Sequence, residues 1–276
     1  MQLTALLENK ACREGLKAAH GLSLYIQTEH HKILFDAGPN AAFAENADAL
    51  GVDLSAVDIC VLSHGHYDHA GGMPVFLRRN DQAKVYLRES ALYEYRFEEA
   101  GGNYAYIGVP RELRAAQDRL FFTGERTDID EGVTLFSLPA THDLLPPSNA
   151  VLLRRTGEEL EHDDFRHEQN LILTEGKQRV LLAGCAHSGI VNILRTAEEI
   201  VGGELDYVFS GFHLMSPSTG HSADPELVKS VGRELAKRRN TRYITCHCTG
   251  EDAFKVLSDI LGSRISALHG GSVYFL

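Results

Sequence analysis

Asp58-Ile59-Cys60-Val61-Leu62-Ser63-His64-Gly65-His66-Tyr67-Asp68-His69-Ala70-Gly71-Gly72 runs from an unbroken apolar stretch straight into a knot of polar groups. Residues 58–62 form a short continuous apolar run, the pattern of a strand buried on both faces. The next six residues, 64–69, hold four metal-capable side chains: His64, His66, Asp68 and His69. Imidazole and carboxylate together suit zinc, iron or manganese. On a bare strand His64, His66 and Asp68 would share one face. Because the segment follows a buried strand and contains Gly65, it reads instead as a loop over the strand end. His64 and His66 then face one metal, and Asp68 and His69 a second. The alternative is a polar loop whose histidines bond only to one another. That arrangement is disfavoured, because burying four such groups beside an apolar strand is costly without a partner.

Outward from this segment, apolar runs alternate with turn signals. Residues 22–26 and 32–35 read as strands joined by the polar turn Glu29-His30-His31. Residues 41–50 have helical composition, and a helix carrying Val75, Phe76 and Leu77 follows Gly71-Gly72. Residues 90–118 contain helix-like pieces around 93–100 and 111–117, separated by Gly101-Gly102, and read as a lid or insertion over a site. Strands are expected at 120–122 and 133–136, a loop at 139–149, and a hairpin over 170–182 turning at Glu175-Gly176-Lys177.

The last third repeats a unit of strand, histidine-bearing loop and helix. Residues 180–182 lead to Gly184-Cys185-Ala186-His187 and a helix over 189–201. Residues 207–209 lead to Gly211-Phe212-His213 and a helix over 225–238. Residues 243–245 lead to Cys246-His247-Cys248 and a helix over 251–261, and residues 271–276 close the chain as a strand. Strands alternating with helices indicate layered α/β structure, and ligands in such folds bind at strand ends.

The 276 residues are 43% apolar and 24% charged, an ordinary globular balance with room for a sizeable core. With no linker, low-complexity tract or abrupt change of charge, the chain reads as one domain over 1–276. No window approaches the ~18 apolar residues of a membrane span. Glu8, Lys10 and Arg13 interrupt the N-terminal run too early for a secretory signal. The five cysteines are unevenly spaced, which points away from a disulfide scaffold and towards a reducing, cytoplasmic compartment. A net charge of -11 repels phosphate backbones, so the expected partner is a small molecule and not nucleic acid. The triplet Lys237-Arg238-Arg239 reads as the exposed end of a helix. Nucleophile-elbow, phosphate-loop and dinucleotide-binding motifs are absent from the sequence.

The segment 64–69, with Asp36 in Ile33-Leu34-Phe35-Asp36-Ala37-Gly38 ahead of it and Gly71-Gly72 behind, resembles the metallo-β-lactamase superfamily. By order of elements the likeness covers essentially the whole chain. It implies a four-layered αβ/βα sandwich with a dinuclear site at one edge, where strands of two sheets end. A narrower resemblance is to the dihydropterin–ribofuranosylaminobenzene phosphate synthases. It is carried by Gly184-Cys185-Ala186-His187-Ser188-Gly189-Ile190, Gly211-Phe212-His213-Leu214 and Cys246-His247-Cys248-Thr249-Gly250. Ser210-Gly211 stands where that branch usually has Gly-Gly, and His167 departs from its more acidic pattern.

Each metal needs at least one further protein ligand. His187 is expected beside His64 and His66, and His247 beside Asp68 and His69. Cys185 competes with His187, because many relatives carry Asp or Cys at this strand end; otherwise it is a small buried hydrophobe. Cys246 and Cys248 resemble half a zinc clip, but the sequence offers no second pair. His213 is expected to contact a substrate anion or give a proton to a leaving group, and Asp36 to buttress a ligand histidine. His20, His30, His31, His162 and His221 read as solvated; His142 and His167 as residues of the site's mouth.

The expected activity is hydrolysis of a small, anionic substrate by hydroxide raised on two divalent ions, zinc first and manganese or iron next, with Asp68 orienting the nucleophile. The alternatives are a transferase, which the narrower resemblance implies would join a dihydropterin methyl diphosphate to a ribofuranosylaminobenzene phosphate, and a metal or ligand sensor without turnover.

Overall fold

A computed structural model describes residues 1–99, 101–138, 143–216 and 219–276. In chain order the first half comprises β1 (Gln2–Leu7), β2 (Ser23–Gln27), β3 (Lys32–Phe35), α1 (Ala42–Leu50), β4 (Ile59–Val61), α2 (Tyr67–Ala70), α3 (Met73–Arg79) and β5 (Lys84–Leu87). Next come β6 (Tyr95–Glu98), β7 (Tyr104–Tyr106), α4 (Arg111–Ala115), β8 (Leu120–Phe122), β9 (Arg126–Asp130), β10 (Val133–Phe136), β11 (Leu152–Thr156) and β12 (Glu159–His162). The chain ends with β13 (Asn170–Glu175), β14 (Gln178–Leu182), α5 (Ile190–Val201), β15 (Tyr207–Gly211), α6 (Pro225–Ala236), β16 (Arg242–Cys246), α7 (Glu251–Leu261), β17 (Ile265–Ala267) and β18 (Val273–Phe275).

Two large sheets have the orders β18-β1-β2-β3-β4-β5-β8 and β17-β16-β15-β14-β13-β10-β9. Side-chain alternation along the strands sorts their apolar residues into three layers of core. In β4, Ile59 and Val61 enter the core between the sheets, while Cys60 and the following Leu62 pack against α1 and α3. In β14, Val180 and Leu182 face the other sheet, while Leu181 packs beneath α5, α6 and α7. The result is the expected αβ/βα sandwich, with each inner strand buried on both faces.

A third sheet, β12-β11-β6-β7, is built from two excursions: residues 88–119 leave the first sheet and residues 147–162 leave the second. They meet where β11 pairs with β6. The helix expected at 93–100 is therefore corrected over residues 93–99, where Tyr95–Glu98 form a strand; residue 100 lies outside the described residues. Tyr93, Tyr95 and Phe97 alternate with Glu94 and Arg96. That period of two, with aromatic residues of high β propensity, outweighs helix-like composition. Strands β1, β5, β9, β11, β12 and β17 were likewise not legible as strands, being short or pinned by neighbours.

The basic triplet is also revised. Arg238 is 8% exposed and holds Glu198 through Nη2 at 2.7 Å, so only its neighbours decorate the end of α6. All five cysteines are free thiols. Among the described residues no helix is long and apolar enough to cross a membrane.

His31, expected to be solvated, clasps the two large sheets. Its Nδ1 meets Asp58 at 2.8 Å, just before β4, and its Nε2 meets Asp130 at 3.0 Å, at the end of β9. Burial opposes the proton on His31, but the two carboxylates outweigh it and raise the pKa above 6.5. Such a group stabilises the fold fully below the unfolded pKa, and the contribution fades as pH rises through the folded value. The clasp is secondary to the apolar core, since an exposed ion pair contributes about 0–1 kcal/mol and each buried Leu, Ile or Phe about 1.5–3. His31→Gln is expected to lower Tm at pH 6 and to leave it unchanged well above the raised pKa. Thermal unfolding across pH, at low and high salt, measures this.

Candidate metal centre

Parallel strands deliver their succeeding loops to one edge of a sheet. β3, β4, β5 and β8 run parallel in the first large sheet, and β14, β15, β16 and β17 in the second. Their C-terminal ends present Asp36 after β3, residues 64–69 after β4, Cys185 and His187 after β14, His213 after β15 and His247 after β16. Four non-glycine residues at these ends have positive φ: Asp36 (59°), Ala186 (57°), His213 (48°) and His247 (53°). Each costs about 1–3 kcal/mol and persists only where the surroundings enforce it.

The segment after β4 loops back and then opens the short helix α2. His64 lies with ring centroids 4.7 Å from His66 and 5.0 Å from His187, and His66 lies 4.9 Å from His187. Beside them, His247 Nε2 approaches Asp68 Oδ2 at 3.1 Å and His69 Nε2 approaches Cys185 Sγ at 3.2 Å. Candidate ligand atoms of Asp68, His69, Cys185 and His247 all fall within 4.8 Å of one another. Cys185 forms a second such group with His64 and His187, and Asp68 one with His64 and His66. The structure thus brings together all six expected metal residues. Cys185 lies among them as well, between the two halves, so it joins His187 there instead of displacing it.

Four of the five candidate ligand rings, those of His64, His69, His187 and His247, have one nitrogen hydrogen-bonded. Asp36 is fully buried; it accepts from the Ser63 N–H (2.7 Å), the Ser63 hydroxyl (2.7 Å) and His69 Nδ1 (2.6 Å). Ser63 in turn accepts from His64 Nδ1 at 2.8 Å. Asn149 Oδ1 meets His187 Nδ1 at 3.0 Å while its amide donates to the His187 carbonyl at 2.9 Å. Asn9 repeats this bracket on His247, at 3.0 and 3.2 Å. Buried glutamates hold the same two loops by their backbone: Glu168 accepts from His187 N–H and Glu8 from His247 N–H, each at 2.7 Å. His66 turns Nε2 towards Asp163 Oδ2 at 3.8 Å, which leaves Nδ1 for the cluster.

These contacts leave buried ring nitrogens without partners. His64 Nε2, His66 Nε2, His187 Nε2 and both ring nitrogens of His213 have none among the described residues. Orphaned buried polar atoms are rare in native proteins and call for an explanation such as an ion. Burial, followed by the neighbouring imidazoles, drives the pKa values of His64 and His187 well down, so both rings are neutral lone-pair donors. Burial opposes the charge of Asp68, but His69 and His247 overcome it and keep the carboxylate ionised. Burial also opposes a proton on His69, yet Asp36 and Asp68 hold its pKa up at about 9. The cluster thus demands positive charge. Its donor set of imidazoles, one carboxylate and one thiol fits divalent zinc, iron or manganese.

Two expectations are corrected. His20 is not solvated: its ring lies 4.3 Å from that of His247, its Nε2 is 3.6 Å from Asp68 Oδ2, and it lines the same cavity. Burial and then His247 lower its pKa to about 4. His167 is not at the mouth. It is fully buried behind the site, accepting from Gly65 N–H at Nδ1 (2.8 Å) and bonding Asp163 at Nε2 (2.9 Å). His142 lies outside the described residues. His30, His162 and His221 are exposed, as expected. Cys246 belongs to the inter-sheet core, so no half-clip with Cys248 forms. Sequence reasoning missed Asn9, Asn149, Ser63, Glu8, Glu168 and Asp163. Only Ser63, beside the motif, carried a local signal.

A family model of the metallo-beta-lactamase superfamily matches residues 17–247, and the chain belongs to that superfamily. An uncharacterized protein of Methanocaldococcus jannaschii is 28% identical over 263 residues, covering 92% of this chain and 93% of the relative. The 7,8-dihydropterin-6-methyl-4-(β-D-ribofuranosyl)-aminobenzene-5'-phosphate synthase of the same organism is 26% identical, covering 92% and 89%. The crystal structure of Tm1679, described as a metal-dependent hydrolase of the β-lactamase superfamily, superposes with a TM-score of 0.82 at 25% identity, over 100% of this chain and 99% of that one.

Outer hydrogen bonds to ligand histidines typically contribute 10–100-fold to metal affinity. Asn9→Ala and Asn149→Ala are each expected to weaken zinc binding by about that factor while leaving the far-UV circular dichroism unchanged. Competition with a chromophoric chelator measures the affinity.

Proposed function

We propose that this member of the superfamily is a dinuclear metal-dependent hydrolase of a small molecule. The observation that carries the reading is the pair of orphaned ring nitrogens on His64 and His187, facing a cluster in which His69 and His247 are each fixed by a buried or half-buried partner. His64, His66 and His187 would hold one cation, and Asp68, His69 and His247 the second. Cys185 sits within reach of both groups. Zinc suits this mixed nitrogen, oxygen and sulfur set best, with manganese or iron as substitutes.

Two divalent cations supply Lewis acidity, which makes hydroxide available near neutral pH and favours a developing oxyanion. The chain's own residues do the rest. Asp68, ionised beside His247 and His20, orients the attacking water and accepts its proton. His213, whose ring lies 4.2 Å from that of His187, donates a proton to the leaving group or bonds to an anionic substrate oxygen. Asp36, Asn9 and Asn149 fix the rings so that no reorientation is needed during reaction.

A second reading is transfer, favoured by the 26% identity to the dihydropterin synthase. There the same cluster would grip a diphosphate leaving group, and an organic amine or arene would replace water as the acceptor. A sensor without turnover fits less well with a cluster that opens into a substrate-sized cavity.

Purified protein reconstituted with zinc is expected to hold close to two metal ions per chain, by elemental analysis. A screen of aryl esters, thioesters and phosphodiesters should find an activity that falls at least ~100-fold in His66→Ala and Asp68→Ala. In ¹⁸O-labelled water the label should enter the product at the cleaved bond. Turnover that needs a second organic substrate and releases unlabelled diphosphate would establish transfer instead, and a metal content below half an ion per chain would remove the dinuclear site altogether.

A further inference from the structure

The cluster forms the floor of a cavity of about 510 Å³, within the range of sites for small organic ligands. Above the floor the lining changes character. The third sheet contributes Phe97 and Tyr106, the residue after β7 contributes Ile107, the turn before β11 contributes Val151, and β11 itself contributes Leu152. Tyr67, from α2, stands at the rim with 43% of its surface exposed. No Lys or Arg side chain lines this cavity among the described residues, and Asp68 is its one carboxylate.

The Arg side chains of β6 and β11 are committed elsewhere. Arg96 and Arg155 both bond Glu94 at 2.8 Å. Arg154 pairs with Asp164 at 3.1 Å and Glu161 at 3.4 Å. Residues 100, 139–142 and 217–218 include neither Lys nor Arg. A second phosphate or carboxylate bound away from the floor would therefore lose its hydration without gaining a counter-charge, an unfavourable exchange.

We propose that the cavity takes a substrate with a single anionic or carbonyl-bearing reactive end, directed at the cluster, and an uncharged, apolar, ring-sized body held against the wall of Phe97, Ile107, Val151 and Leu152, in which Phe97 and Leu152 are paired across β6 and β11. This rests on the metal-dependent reading above and specifies its substrate class. It also sets the chain apart from a substrate that carries a second, distal phosphate. The roof is positioned to act with the floor, because Tyr67 N–H, inside the metal-binding segment, donates to the Ile107 carbonyl at 2.8 Å.

The test uses zinc-loaded full-length protein and three probes by isothermal titration calorimetry: acetate, 2-naphthoate and naphthalene-2,6-dicarboxylate. 2-Naphthoate should bind at least about tenfold more tightly than acetate, since it adds apolar surface and no charge. The dicarboxylate should bind at least about tenfold more weakly than 2-naphthoate, because its distal charge meets the apolar wall. Phe97→Ala and Ile107→Ala should each reduce 2-naphthoate affinity about fivefold without changing that for acetate. Equal affinity for acetate and 2-naphthoate, no binding of either, or a dicarboxylate that binds as well as the monocarboxylate would overturn the proposal. The wild-type series decides the matter even where a variant fails to fold. Probe binding as expected with no hydrolysis of any substrate removes the hydrolase reading and leaves this one standing; hydrolysis without discrimination among the probes does the reverse.

Discussion

The carboxylate of Asp36 is the contact on which the centre depends. It is fully buried, it follows β3, and it receives three hydrogen bonds from the segment after β4. A buried carboxylate without such partners would cost several kcal/mol. The requirement runs both ways: Asp36 is tolerable because Ser63 and His69 are there, and their positions are fixed because Asp36 must be satisfied. Through Ser63 it sets the ring of His64, and directly it sets the ring of His69, one histidine in each half of the cluster. The positive φ of Asp36 aims the carboxylate across to the neighbouring strand end, and Ser23 Oγ holds its backbone carbonyl at 2.8 Å.

The second sheet solves the same problem by a repeated device. His187 and His247 lie on loops after parallel strands, and each is bracketed by an asparagine and tied at its backbone by a buried glutamate. Asn9 and Glu8 reach His247 from the end of β1, in the opposite sheet, and Asn149 and Glu168 flank the hairpin that leads into β13. The His247 half is therefore locked by contacts that cross between the halves of the sandwich, and the His187 half by contacts from the second sheet's own excursion. Docking of the two sheets and preorganisation of the rings are one event, which is why strained backbone can be held at the strand ends.

Much of this was legible in the sequence, and the reason is locality. The run 58–62 and the motif 64–69 are adjacent, so the buried strand and its polar loop could be read together. The recurring strand, histidine and helix units after residue 178 announced three more strand ends, and β3 and α7 lie where periodicity put them. Asp36 was readable because ligand imidazoles need a carboxylate or carbonyl partner. What escaped was set by distance along the chain. Asn9 meets His247 across 238 residues and Asn149 meets His187 across 38, and an asparagine carries no pattern that distinguishes a bracket from a turn. His20 looked solvated because its neighbours in sequence are polar, whereas its neighbours in space are Asp68 and His247. The third sheet escaped because its strands are three to five residues long and come from two separate excursions.

That last feature separates chemistry from specificity within the molecule. The donor cluster hangs on the edge shared by the two large sheets, where any member of the superfamily has strand ends to use; a fold shared so widely says little about the substrate. The cavity wall hangs on β6, β7 and β11, which meet the cluster through the Tyr67 to Ile107 hydrogen bond and through Tyr95, whose ring lies 5.7 Å from that of His66. Changing the wall costs the sandwich little, because its three apolar layers do not include the residues that line the roof. A wall without Lys or Arg also leaves the attraction of an anionic end, on the proposed function, to the floor and whatever cation its donors would hold. On the proposed function, metal occupancy and substrate capture would be linked, since a cation bound to these donors would supply the charge that the roof withholds.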